Sequence, residues 1–186
     1  SINHKLMKEN IVAGFNVTCV GDNRAYSYLP SRDGATISDD VAKHVLNWID
    51  PNFVKHTWLD RGSDERTYCA PGIDLPLISL MRTRYGSYPE YHTSLDDLSV
   101  VTPAGLQGGL NLVRDCIEIL EHDALYHATV PGEPQLGRRG MYHRMHSKTV
   151  ADVILLRTHV LAYCDGQNSL FDIETLLIWP FADVLS

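Results

Sequence analysis

One histidine is placed for chemistry. The apolar run 75–80 gives way to a polar stretch, Tyr91-His92-Thr93-Ser94-Leu95-Asp96-Asp97, so His92 sits on a loop leaving a buried strand. Sites in open α/β sheets gather at the carboxyl ends of strands. An imidazole there can bind a metal, while a carboxylate such as Asp96 accepts its second N–H and fixes the tautomer. The competing reading is a loop histidine hydrogen-bonded in a turn. Asp64 and Glu65 form a second candidate, on a loop expected at the same sheet edge. Paired carboxylates beside a metal can orient a substrate amine or hold a water. Ser63 or Asp64 could equally cap a short helix. Asp22, in Gly21-Asp22-Asn23, is a third candidate, although that tripeptide is also ordinary turn chemistry.

Other histidines carry less. His143 and His146 have helical ligand spacing, but Arg138, Arg139 and Arg144 surround them and disfavour a cation. They read as surface or interface residues. No Gly-rich phosphate loop and no GxSxG elbow occurs, which argues against nucleotide binding and serine hydrolysis.

The elements that must position these residues alternate between strand and helix. Residues 2–9 read as a polar surface helix, not a signal peptide, and 11–20 as a strand buried on both faces. Ser38 caps a helix with Val41, Val45, Trp48 and Ile49 on one side. Residues 53–59 suit a second strand, a short helix follows through Ala70, and 75–80 form the third strand. Thr102 and Pro103 open a long helix whose apolar stripe is Leu106, Leu110, Val113, Ile117 and Leu120. This order predicts an α/β fold with a mostly parallel sheet and helices on both faces.

Past Tyr126 the texture changes. The expected divisions are an α/β domain over 1–126, a Pro/Gly-rich linker over 127–147 and a partial all-α winged-helix-type module over 148–186. In the last, a helix spans about 149–163, Asp165-Gly166 turns, Ser169 caps a second helix, and Pro180 begins a third.

The chain has 186 residues, 44% hydrophobic and 21% charged, with net charge −7. That balance suits a globular protein and disfavours a nucleic-acid partner, as does the acidic helix pair with Asp165, Asp172, Glu174 and Asp183. No apolar run is long enough to span a bilayer. The four cysteines are scattered without a CxxC pair, so reduced thiols and a cytoplasmic setting are expected.

Three segments carry a family resemblance: Gly62-Ser63-Asp64-Glu65-Arg66-Thr67-Tyr68, Pro71-Gly72-Ile73, and the Tyr91–Asp97 stretch. They resemble the last third of zinc aminopeptidases, and of glutaminyl cyclases that share their plan. The whole chain further resembles a bacterial aminopeptidase-like subgroup associated with polysaccharide biosynthesis, whose domain ends in a winged helix. The resemblance implies metal ligation by His92, a site-edge role for Asp64, which Glu65 could share as its neighbour, and a loop-fixing role for Asp96. It implies zinc as cofactor and a small peptide or amino-acid amide as substrate; a homo-oligomer is compatible with it. The family's earlier ligands and its glutamate base would belong upstream of residue 1. Thr18 stands where those peptidases carry an aspartate ligand, so one zinc ion is expected rather than two. The other reading is a non-catalytic scaffold whose winged helix meets a protein or DNA.

Overall fold

A computed structural model describes residues 3–140 and 148–178. It divides into two units, Ser1–Glu118 and Ile119–Ser186.

The first unit is built around β4 (Leu77–Met81), in which Ile78, Ser79, Leu80 and Met81 are all buried. Before it come α1 (His4–Asn10), β1 (Gly14–Val17), β2 (Ser27–Leu29), α2 (Ile37–Ile49), β3 (Val54–Lys55) and α3 (Glu65–Tyr68). The sheet order is β1-β4-β2-β3. β1 runs parallel to β4, with Gly14 opposite Leu77 and Val17 opposite Leu80. β2 and β3 are parallel, and β2 and β4 antiparallel. This is the mixed α/β fold with a mostly parallel sheet. At the start of the β1–β4 ladder, just ahead of the first pair, the Ser38 hydroxyl bridges the two chain segments. Its Oγ accepts from the Gly14 N–H at 3.0 Å and donates to the Pro76 carbonyl at 2.7 Å.

Three local expectations change. The first strand is four residues long and half-exposed rather than buried on both faces; flanking Val12 is 79% exposed. The reason is position, since β1 lies at the sheet edge. The second strand shrinks to Val54–Lys55 because Asp60 folds the chain back into a 3₁₀ turn, accepting from the Thr57 N–H at 2.9 Å and hydroxyl at 3.0 Å. Helix α2 is capped by Thr36, not Ser38. Its Asp39 is fully buried, accepting from the Thr36 N–H and hydroxyl, the Ser31 N–H and hydroxyl, and the Tyr28 hydroxyl. Burial opposes ionisation, but the hydrogen bonds from Ser31, Thr36 and Tyr28 hold this carboxyl below its ordinary range.

The long helix α4 (Pro103–His122) is capped as expected, the Thr102 hydroxyl accepting from the Gly105 N–H at 3.0 Å. Its packing face is the surprise. Gly105, Gly108, Gly109, Leu112 and Cys116 are buried, whereas Leu106, Leu110 and Ile117 of the expected stripe are exposed. The glycines let the helix lie directly on backbone: a Cβ at Gly105 would collide with the Gly21 and Asp22 carbonyl oxygens, and one at Gly109 would meet Val20.

The second unit contains β5 (Leu125–His127), α5 (Lys148–Tyr163), β6 (Asp165–Ser169) and α6 (Leu170–Leu177). β5 and β6 form an antiparallel ribbon, with Leu125 opposite Ser169. The described part of this module is therefore not all-α. Asp165 makes the expected turn by accepting from the Gln167 N–H at 2.8 Å, and the chain then pairs as a strand. Ser169 and Asp172 form a capping box. Leu156, Leu170, Phe171 and Ile173 are buried, and so is Glu174, which removes it from the acidic surface expected of the helix pair. His143, Arg144, His146, the helix expected at Pro180 and Asp183 lie outside the described residues. Among the described residues no helix is long and apolar enough to cross a membrane. All four cysteines are free.

Backbone contact at Gly105 is the tightest constraint on α4. Gly105→Ala should destabilise the protein by about 2–3 kcal/mol in urea unfolding, because backbone cannot yield as a side chain can. Gln107→Ala, exposed on the same helix, should stay within about 0.5 kcal/mol of the parent.

Candidate functional site

The loops leaving β1 and β4 are clamped together by Asp22 and Arg82, both buried. The Asp22 carboxylate accepts from the Arg24 N–H at 2.9 Å, the Thr83 N–H at 2.9 Å and the Thr83 hydroxyl at 2.6 Å. Arg82 donates to the Asp22 carbonyl at 3.0 Å and to Asn23 Oδ1 at 2.8 Å, and its guanidinium lies 3.6 Å from the Tyr26 ring centroid. Asp22 is thus a turn carboxylate that also fastens the neighbouring loop.

From this clamp the β4 loop carries three tyrosines at intervals of three. Tyr85 donates to Glu65 Oε1 at 2.9 Å, and burial together with that bond pushes its phenol up to about 12. Tyr88 lies under the Arg24 guanidinium, 5.8 Å from ring centroid to Cζ, and donates to Cys19 Sγ at 3.8 Å. Burial, then Cys19, raises its pKa, with Asp96 adding to the effect. Tyr91 meets Tyr88 edge-on at 5.6 Å and stacks on His92, the centroids 3.9 Å apart and the planes 16° from parallel. Arg24 also grips the loop through Glu90 in a two-pronged ion pair of 2.8 and 2.9 Å. His92 itself is exposed, with a left-handed backbone (φ 59°). Sequence reasoning missed this ladder. Its one local signal is the Tyr85, Tyr88, Tyr91 spacing; the Arg24–Glu90 pair joins residues too distant for any pattern to link.

The paired acids separate into two roles. Glu65 is fully buried. Its Oε1 accepts from the Gly62 N–H at 2.7 Å, the Ser63 N–H at 2.9 Å and Tyr85, and its Oε2 from Asn16 Nδ2 at 2.8 Å and the Ser79 hydroxyl at 2.9 Å. Burial alone would favour the neutral acid, yet the donors from Ser63, Gly62 and Ser79 hold the pKa below the usual glutamate range. With its lone pairs engaged by protein donors, Glu65 presents nothing to solvent. Asp64 is the reverse. It is exposed, and its side chain makes no capping bond to α3. Asp96 is exposed on the His92 loop, its N–H donating to the Thr93 carbonyl at 3.2 Å. Among the described residues, no hydrogen bond or ion pair joins Asp64 or Asp96 to His92.

A metal needs several ligands together, about four for zinc. Among the described residues no three His, Cys, Asp or Glu side chains come together in a way that could hold one. Nor does Thr18 help: its hydroxyl points to Cys19 Sγ at 3.8 Å. His92 can supply one ligand, so these residues do not make a metal site by themselves.

Residues 1–123 match the family model described as a domain of unknown function (DUF4910). The chain belongs to that family. Residues 124–186 match the winged helix-turn-helix model, so the C-terminal module of this chain is a winged-helix domain. A Clostridium acetobutylicum protein named "Putative polysaccharide biosynthesis protein with aminopeptidase-like domain" is 36% identical over 168 residues, covering 89% of this chain and 38% of the relative. A crystal structure named as a "putative peptidase" from the same organism superposes with a TM-score of 0.81 at 30% identity, covering 97% of this chain and 40% of the other. The chain thus spans about two-fifths of the length of these relatives, and its first unit has a peptidase-like scaffold.

The contrast between buried and exposed acids can be measured. Asp22→Ala should cost about 3 kcal/mol of stability, since it strands buried donors. Asp64→Ala should leave urea unfolding within about 0.5 kcal/mol of the parent.

Proposed function

We propose that the full-length protein is a metal-dependent, aminopeptidase-like hydrolase of an amide or peptide bond, and that this chain supplies one rim of its site. The observation that carries this reading is the presentation of His92. An exposed imidazole, stacked on Tyr91 at the carboxyl end of β4, is offered on a scaffold shared with a peptidase-like relative. His92 would be one ligand of a single zinc ion, completed by residues beyond those described. Asp64, exposed and unused by α3, would hold the amine of a small peptide or amino-acid amide. Asp96 and the tyrosine ladder would fix the loop. The winged helix would meet another protein or a second copy in preference to DNA, in keeping with the net charge of −7. Free cysteines throughout agree with a cytoplasmic setting.

A second reading, a non-catalytic peptidase scaffold, is favoured by one observation: the buried carboxylate Glu65 is wholly committed to protein donors.

Metal content of the purified full-length protein separates the two. Mass spectrometry should find about one zinc per chain, lost in a folded His92→Ala variant along with release of amine from amino-acid amides. Folded wild-type protein without metal would overturn the hydrolase and leave the scaffold reading standing.

A further inference from the structure

A second set of loops lies at the opposite end of β4 from His92. β2 runs antiparallel to β4, with Leu29 opposite Ser79, so the segment leaving β2 meets the segment entering β4. Between the two is a cavity of about 300 Å³. Arg32 and Asp33 line it from the first segment, and Cys69, Asp74, Leu75 and Pro76 from the second.

Both walls are fixed by bonds already in place. Asp39 accepts from the Ser31 N–H at 3.0 Å and hydroxyl at 2.6 Å, and from the Thr36 N–H at 2.9 Å. Asp74 Oδ2 accepts from the Gly72 N–H at 3.1 Å. Its other oxygen ties the second wall to the first through an ion pair with Arg32 at 2.6 Å. A preformed cavity of this size stands at the lower end of the range for small-molecule sites. It suits a ligand the size of an amino acid rather than a nucleotide or an oligosaccharide.

The lining is chemically divided. Its inner part is apolar: Cys69 and Leu75 are buried, and the Cys69 thiol is engaged by the Leu77 carbonyl at 3.0 Å. Burial pushes that thiol above its ordinary pKa, so it stays neutral. The outer part is charged. Arg32, exposed, sends Nε and Nη2 to the same oxygen of Asp74, both at 2.6 Å. Its Nη1 has no hydrogen bond or ion pair among the described residues. Neither has the carboxylate of Asp33, which is also exposed.

An open guanidinium edge and an open carboxylate over an apolar interior match one kind of small molecule. A lone anion would meet two carboxylates, and a lone amine would leave the guanidinium unused. We propose that the cavity binds a free α-amino acid with an apolar side chain: its ammonium on Asp33, its carboxylate on Arg32, its side chain over Cys69, Leu75 and Pro76. Arg32 suits that role because the Nη1–Nη2 edge of its fork can pair with a carboxylate at two points. The site is separate from the rim that presents His92, and the inference holds whether or not the protein is a hydrolase.

The test is calorimetric titration of the full-length protein with L-leucine, 3-methylbutylamine and 4-methylpentanoate, the last two each carrying one of leucine's charges. Leucine should bind wild type at millimolar concentration or below. Asp33→Asn and Arg32→Gln should each weaken that binding at least about 10-fold, as expected for loss of one charged hydrogen bond. The amine and the acid should each bind at least about 10-fold more weakly than leucine. His92→Ala should leave the leucine affinity unchanged. Asp33→Asn carries the test should Arg32→Gln unsettle the loops, since Asp33 holds neither wall. Folded wild type that takes up no leucine at millimolar concentration would overturn the proposal. So would binding that survives Asp33→Asn, or that His92→Ala alone removes, since either would put the leucine elsewhere. Equal affinity for the amine or the acid would overturn it as well.

Discussion

The first unit depends on a carboxylate that water never reaches. Glu65 gathers donors from four separate places: the turn at Gly62 and Ser63, β1 through Asn16, β4 through Ser79, and the following loop through Tyr85. Burying a charge is costly unless hydrogen bonds replace its hydration. Here every replacement donor is neutral, so the cost is met by fixing the geometry of all four segments at once. Asp39 does the same for the approach to α2, and Asp22 for the two strand exits. Sequence-distant loops are therefore held by short-range bonds to three carboxylates, with no buried ion pair among them.

This arrangement explains which parts of the molecule were legible in the sequence. Leu77–Met81 and the Thr102–Pro103 helix start could be read because their signals are local: a run of apolar residues, and a cap followed by proline. The face of α4 could not. Counting large apolar residues selects Leu106, Leu110 and Ile117, but the surface that packs is the one where glycine permits backbone contact. Similarly, Asp64 and Glu65 look alike as neighbours in sequence, and only the fold turns one to solvent and the other inward. The tyrosine ladder under His92 was overlooked because aromatic residues on a loop have no periodic partner until Arg24 and Cys19 arrive from β1's exit.

For function, the consequence is a division of labour. The buried acids fix the backbone of the strand exits, and the exposed groups, His92, Asp64 and Asp96, are carried on what they fix. Buried carboxylates tied to neutral donors suit a site that must keep its shape while its outer groups exchange ligands. The same division accounts for the absence of a ligand cluster among the described residues. In the proposed site this chain would provide a rim with one imidazole; the peptidase-like relatives are more than twice its length.

The central role of the Glu65 carboxylate is tested most directly by unfolding wild type and Glu65→Gln in urea across pH 3 to 8. Because the folded pKa of Glu65 is lowered, its stabilisation is complete above the unfolded value of about 4 and is lost as pH falls through the folded one. Wild type should therefore exceed Glu65→Gln by about 3 kcal/mol at pH 7, with the gap closing as the solution is acidified. Equal stabilities at pH 7, or a gap that does not change with pH, would contradict the claim that this carboxylate holds the first unit together.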